Sequence, residues 1–180
     1  MRTALLIVDI QNDYFSGGKM ELVGSFEAGS KAKMALEQFR TVRLPVFHIR
    51  HLSMKPGATF FLPQTAGSQI NELVAPLATE TVVEKNFPNS FRNTALQEWL
   101  QQLKIEHLVI CGMMTHMCID TTVRAAFDLG FSCTVLHDAC ATKDLAFLGR
   151  TVPAAEVQAS FLAALQGTFA KVISVSELNL

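Results

Sequence analysis

Cys118 is the side chain best suited to nucleophilic chemistry. It lies shortly after the apolar run Leu108–Cys111, in a segment with helical spacing that begins near Thr115. A cysteine in the first turn of a helix meets free amides and the positive end of the dipole, and both favour its thiolate. The competing reading is a small, inert core residue, the usual fate of free cysteine. Position alone weighs the two evenly. Asp9 and Lys85 add to the first reading. Asp9 stops the apolar run Leu5–Val8, and Lys85 follows the run Thr81–Glu84. A thiol needs a base, and a carboxylate held near a cation can take its proton. Singly, Asp9 reads as a turn cap and Lys85 as a solvated lysine. Together they place acid, cation and thiol at three strand ends.

Those ends belong to a repeating pattern. Leu5–Val8, Pro45–Ile49, Thr81–Glu84, Leu108–Cys111, Cys133–Leu136 and Val172–Val175 are short and nearly continuous apolar runs. Between them, Glu27–Arg40, Thr94–Leu103, Thr115–Leu129 and Pro153–Leu165 carry apolar residues at helical spacing. Alternation of this kind predicts a parallel sheet covered on both faces. Right-handed crossovers then give an α/β, three-layer α/β/α sandwich with a six-stranded, mostly parallel sheet. In such sheets ligands bind beyond the carboxyl ends of the strands. The whole chain, 1–180, reads as one domain, with no linker or repeat. Met54–Ser68 is its one long loop, interrupted by Pro56, Gly57, Pro63 and Gly67 and carrying Phe60 and Phe61. Such loops are often lids or binding loops.

Composition excludes several classes. With 49% hydrophobic residues the chain is too apolar for intrinsic disorder. A net charge of −1, from 15 basic and 16 acidic residues, gives no nucleic-acid surface. No apolar stretch approaches the length of a membrane span, and the N-terminal run is too short for a signal-peptide core. Cys111, Cys118, Cys133 and Cys140 lack CxxC spacing, which points to reduced thiols and a cytoplasmic location. A charged fraction of only 17% implies a large buried fraction or apolar surface covered in a homo-oligomer. Neither a G-x-G-x-x-G after the first strand nor a P-loop is present, which disfavours nucleotide binding.

Phe15, Phe60, Phe61 and Phe87 gather near the strand-end loops and read as lining of an aromatic pocket, with some core packing among them. Phe91 and Trp99 read as core, or for Trp99 as interface. His51 reads as a pocket residue, and His48 as core or surface. His116 lies two positions before Cys118, so on a helix it faces elsewhere and reads as a pocket wall or subunit contact. Cys111 and Cys133 read as packing. Cys140, near the end of the fifth strand, reads as partly exposed and without a role.

Asp9-Ile-Gln11-Asn-Asp13-Tyr-Phe resembles the D-x-Q-x-D-[FY] opening of the isochorismatase-like cysteine hydrolases. Lys85, with Ser90-Phe91, resembles that family's lysine segment, with a shifted register around Pro88-Asn89. Gly112-Met-Met-Thr115-His-Met-Cys118-Ile-Asp-Thr121-Thr-Val-Arg124-Ala is similar to its long cysteine signature, and Asp138-Ala-Cys-Ala to a further element. The motifs occur in family order along nearly the whole chain.

The resemblance implies Cys118 as nucleophile, Asp9 as general base and acid, and Lys85 as third member of a triad. It implies a cis peptide at Met113–Met114 and an oxyanion hole from the amides of Met114 and Cys118. Gln11 and Asp13 become supporting residues of the first loop, Gln11 beside the substrate and Asp13 structural. The implied activity is hydrolysis of a small amide at its C–N bond through a thioester. On this reading Cys118 alkylates before Cys140, and Asp9→Asn slows the alkylation. Nicotinamidases of this family hold a metal on an Asp-x-His pair after the second strand. Here that position reads Arg50-His51, and His48 and His51 point to opposite faces of a strand. No metal and no other cofactor is therefore expected. Two alternatives remain: isochorismatase-type vinyl-ether hydrolysis, which does not need the cysteine, and a non-catalytic scaffold or thiol protein with the same fold.

Overall fold

A computed structural model describes all residues, 1–180. The chain runs β1 (Thr3–Val8), α1 (Ser25–Thr41), β2 (Val46–His51), β3 (Thr81–Lys85), α2 (Leu96–Gln102) and β4 (His107–Met113). It continues through α3 (Asp120–Asp128), β5 (Ser132–Ala141), β6 (Leu145–Phe147), β7 (Arg150–Val152), α4 (Ala154–Leu165) and β8 (Lys171–Ile173). Six strands form one sheet in the order β3-β2-β1-β4-β5-β8. Every neighbouring pair in it is parallel. The order reverses between β1 and β4, the switch point at which such sheets open a crevice.

The strand alternation decides the layers. Leu5 and Ile7 of β1 join Val109 and Cys111 of β4 under Ala28, Ala32, Leu36 and Phe39 of α1. Ala4, Leu6 and Val8 point the other way, toward Leu96 and Leu100 of α2, Val123 of α3 and Leu162 of α4. One helix therefore covers one face and three cover the other. Each fully buried Leu or Ile contributes about 1.5–3 kcal/mol. A sheet with no solvated face accounts for much of the low charged fraction.

Several details differ from the sequence reading. The segment Thr115–Leu129 is not one α-helix: Thr115–Ile119 form a π-helical turn before α3. The fifth strand is longer than expected. Its pairing with β4 slips between Val135 and Cys140, so His137 and Asp138 sit in an irregularity inside β5 and not beyond its end. Pro153 caps α4 instead of entering it. The antiparallel hairpin β6–β7 has no counterpart in the sequence reading. Its three-residue strands are too short to show alternation. Cys140 is buried, as are Cys111 and Cys133. His48 is a core residue, its Nε2 2.9 Å from Glu80, which Arg40 grips at 2.7 and 2.8 Å.

Gly112 carries a specific burden. Its φ is +132°, and a Cβ there would overlap the carbonyl oxygen of Val8 on the adjacent strand. Only glycine lets β4 lie against β1 at the switch point. Gly112→Ala is expected to cost about 3 kcal/mol or more, lowering the melting temperature by roughly 6–12 °C. Thermal unfolding by circular dichroism checks this; an unchanged midpoint would contradict it.

Candidate active site

The carboxyl ends of β1, β3 and β4 converge at the switch point. Asp9 follows β1 in the left-handed region, at φ 52°. Its N–H donates to Ile49 and its carbonyl accepts from Gln11, so the turn is fixed on both sides. A non-glycine residue held there costs on the order of 1 kcal/mol, and such residues cluster at functional sites. Lys85 ends β3 directly opposite His51 of β2. Its Nζ lies 2.7 Å from Asp9 Oδ2, and both side chains are wholly buried. The other carboxylate oxygen, Oδ1, is buried without any hydrogen-bond partner. Cys118 projects from the π-helical turn and is 5% exposed. Its sulfur lies within 4.8 Å of an Asp9 carboxylate oxygen and close enough to Lys85 to feel its charge.

The electrostatics revise the expected thiolate. Burial, and then the Asp9 charge, push the Cys118 thiol well above its ordinary range, outweighing the opposing effect of Lys85. At rest the sulfur therefore keeps its proton. Cys118 stands in a π-helical turn that leads directly into α3, and its position at that helical N-terminus does not offset the burial. Burial lowers the pKa of Lys85, but Asp9 and Cys118 raise it more, so the ammonium stays charged. Cys133 and Cys140 are pushed up to about 12, chiefly by burial.

The Met113–Met114 peptide bond is cis. The Met114 N–H donates to no backbone carbonyl, while its carbonyl accepts from Met117 and Ile119. Gln11 has its side-chain amide engaged by main chain. Its side chain accepts from His51 N–H at 2.7 Å and donates to the carbonyls of His51 and Ser68 at 2.9 Å each. It is a clamp on main chain. Asp13 is structural as expected: its carboxylate accepts from the N–H of Phe61 at 2.6 Å and of Lys19 at 3.2 Å.

The aromatic residues divide. Phe61 is buried in the core with its ring 4.6 Å from that of Tyr14, and Phe60 packs on it at 5.0 Å. Phe15 packs against Gly29 of α1, in the core layer opposite to that of Cys118. Phe15 is therefore a core residue and not pocket lining. Its place in the first loop suggested otherwise because loop position carries no facing information. Phe87 lies under the Arg92 guanidinium, 3.7 Å from its carbon. Phe91 stacks on Phe131 and Trp99 packs on the same core, both as expected. His116 is half-buried, with Nδ1 2.6 Å from Thr142 Oγ1 and its ring near Phe161.

Tyr14 escaped the sequence reading. It is the chain's sole tyrosine, and burial first, then the neighbouring Cys118 and Asp9, hold its hydroxyl well above its ordinary pKa. Its position in the first motif, five residues after Asp9, was the available signal. Other clefts lie away from these residues. One of about 580 Å³ is lined by Arg2, Arg43, His107 and Lys171.

Asp9, His51 and Cys118 bring donor atoms within 4.8 Å of one another. This set does not fit a metal ion. The Lys85 ammonium already occupies it, bonded to Asp9 and 3.3 Å from His51 Nδ1. A second cation there would meet strong like-charge repulsion.

The match to known proteins now decides the family. The isochorismatase domain model matches residues 3–177. The chain belongs to the isochorismatase family. It is similar to an uncharacterized isochorismatase family protein, YddQ, of Bacillus subtilis, with 49% identity covering 96% of each chain. An isochorismatase from Pseudomonas putida KT2440 shares the structure, with a TM-score of 0.93 at 39% identity, over 99% of this chain and 90% of that one. Nicotinamidase 3 of Arabidopsis thaliana is 30% identical over 77% of this chain and 73% of its own. This isochorismatase-family hydrolase thus has the fold expected from its sequence. No helix in it is long and apolar enough to cross a membrane.

Proposed function

We propose that the protein hydrolyses a small amide at its C–N bond, with Cys118 as nucleophile, Asp9 as proton carrier and Lys85 as the fixed cation. One observation carries the reading: a wholly buried Asp9–Lys85 pair with a free carboxylate oxygen beside a buried thiol. A buried ion pair is commonly no more stable than apolar residues of the same volume. Such pairs in a strained turn at a sheet's switch point are typical of catalytic sites. The nicotinamidase relative supports the amide class.

In the proposed sequence Asp9 takes the thiol proton as the sulfur attacks the carbonyl carbon. The oxyanion is held by the Met114 and Cys118 amides. Asp9 returns the proton to the leaving nitrogen, the C–N bond breaks, and ammonia or an amine departs. Asp9 then takes a proton from water as the water oxygen attacks the thioester, the C–S bond breaks to release the carboxylic acid, and Asp9 returns the proton to the Cys118 sulfur. Because the thiol is protonated at rest, deprotonation and attack occur together. Lys85 keeps Asp9 in place and stabilises each anion in turn. Vinyl-ether hydrolysis would leave Cys118 without a task.

A homo-oligomer belongs to the same proposal. Val23, Phe26, Phe147 and Leu148 are large apolar side chains more than half exposed, as covered surface would be.

Ammonia release from a panel of small amides tests the activity. Turnover is expected to survive exhaustive dialysis against a chelator, because Lys85 holds the position a metal would need. Loss of turnover that returns with added divalent metal would contradict this.

A further inference from the structure

His51 is not part of the mechanism above, yet it is held as firmly as the triad. Its backbone N–H and carbonyl are both bonded by Gln11. Its ring Nδ1 lies 3.3 Å from Lys85 Nζ. A ring nitrogen comes within 4.8 Å of the Cys118 sulfur and of the Asp9 carboxylate.

Lys85 decides the state of that ring. An ammonium has three protons and no lone pair, so it can only donate. His51 Nδ1 must accept, and an accepting Nδ1 carries no proton. In a neutral imidazole the proton is then on Nε2. The ring does stay neutral: burial lowers its pKa, and Lys85 and Lys55 lower it further against the opposing effect of Asp9. Nε2 makes no hydrogen bond within the protein, yet it is not among the buried atoms left without a partner. It is an accessible donor on a ring that borders the nucleophile.

Lys85 is also oversubscribed. Asp9 Oδ2, Phe87 O, Pro88 O and His51 Nδ1 lie 2.7, 3.1, 3.2 and 3.3 Å from Nζ. Three protons cannot serve four acceptors and the sulfur together. The longest contact, to His51, is the one most readily released when a thiolate forms. The same geometry removes His51 as a metal ligand through Nε2. That role needs the proton on Nδ1, where it would face the ammonium.

We propose that His51 determines substrate specificity: its Nε2–H donates a hydrogen bond to an oxygen acceptor on the substrate, beside the scissile amide. The preferred substrates are then small amides bearing a carbonyl or carboxylate oxygen near the reacting carbon. The substrate class rests on the amidase reading, but the tautomer and the contact do not.

The test uses the full-length protein labelled with ¹⁵N-histidine. Long-range ¹H–¹⁵N correlations at neutral pH are expected to show His51 with Nδ1 bare and Nε2 protonated. A proton on Nδ1, or a doubly protonated ring, overturns the proposal. Malonamate and propanamide, and succinamate and butanamide, differ by a carboxylate in place of a methyl. The His51 Nε2 signals are expected to move with malonamate or succinamate and not with their partners. If neither carboxylate compound moves them, the proposed contact is wrong.

Turnover supplies the second readout. A site that hydrogen-bonds its substrate discriminates against analogues lacking the partner group, here by about tenfold or more in kcat/KM. His51→Leu should erase the preference for the acceptor-bearing amide, and His51→Gln, which keeps a donor, should retain part of it. Equal preference in the native protein and in His51→Leu overturns the proposal. If no amide is turned over while the tautomer and ligand shifts hold, the amidase reading fails and the His51 contact stands.

Discussion

Cys118→Ala is expected to lower kcat/KM for amide hydrolysis by about ten-thousandfold or more, with the fold intact. The size follows from removing a nucleophile whose partners act as a unit. Without the sulfur, Asp9 and Lys85 remain paired, but no thioester forms and the reaction reverts to direct attack by water. The fold should survive because the side chain is small and the surrounding layer includes Ile119, Val123, Ile110 and Val8. A small cavity costs about 1 kcal/mol, far below the effect on rate. Steady-state kinetics beside a thermal melt separates the two. Retention of a tenth of native activity would remove Cys118 from the mechanism.

Asp9→Asn is expected to abolish turnover to a similar degree and, at the same time, to make the thiol more acidic. The sign follows from the charges around the sulfur. Burial and the Asp9 carboxylate raise the Cys118 pKa, and Lys85 lowers it. The substitution removes a raising contribution and leaves Lys85 without its closest counter-ion. The thiolate then forms at lower pH beside an uncompensated ammonium. Alkylation by iodoacetamide near neutral pH should therefore become faster than in the native protein. This reverses the expectation drawn from sequence, in which Asp9 acts only as the base that assists alkylation. The profile of alkylation rate against pH should shift downward in Asp9→Asn. A profile that stays in place or moves upward would contradict the electrostatic account. The native Cys118, protonated and nearly inaccessible, should react slowly until a substrate amide draws its proton to Asp9.

The strands and layers were legible in the sequence because a sheet buried on both faces leaves short continuous apolar runs. Leu5–Val8 and Leu108–Cys111 lie within β1 and β4, and the helices between them fell within a few residues of their observed limits. The meeting of Asp9 with Lys85 was legible only as strand-end positions, and the sheet order supplies their proximity. What stayed hidden depends on local geometry or on facing. The π-helical turn at Thr115–Ile119 has the same apolar spacing as a first α-helical turn over so few residues. The slip inside β5 leaves no mark on composition. Phe15 and Phe61 lie in loops, where no periodicity tells core from pocket. Gln11 was read as a substrate contact because it follows Asp9 closely, yet its amide ties the first loop to main chain 40 and 57 residues further on, at His51 and Ser68. The protonated state of Cys118 needed the burial of all three partners at once, which no residue spacing conveys.

The central claim is a covalent acyl-enzyme on Cys118. Rapid acid quench of the native protein with an amide that it turns over, followed by intact-mass and peptide mass spectrometry, tests it most directly. The account predicts a transient mass increase equal to the acyl group, mapped to the peptide holding Cys118 and absent in Cys118→Ala. Product formed with no adduct at any quench time, and at an undiminished rate in Cys118→Ala, would contradict it.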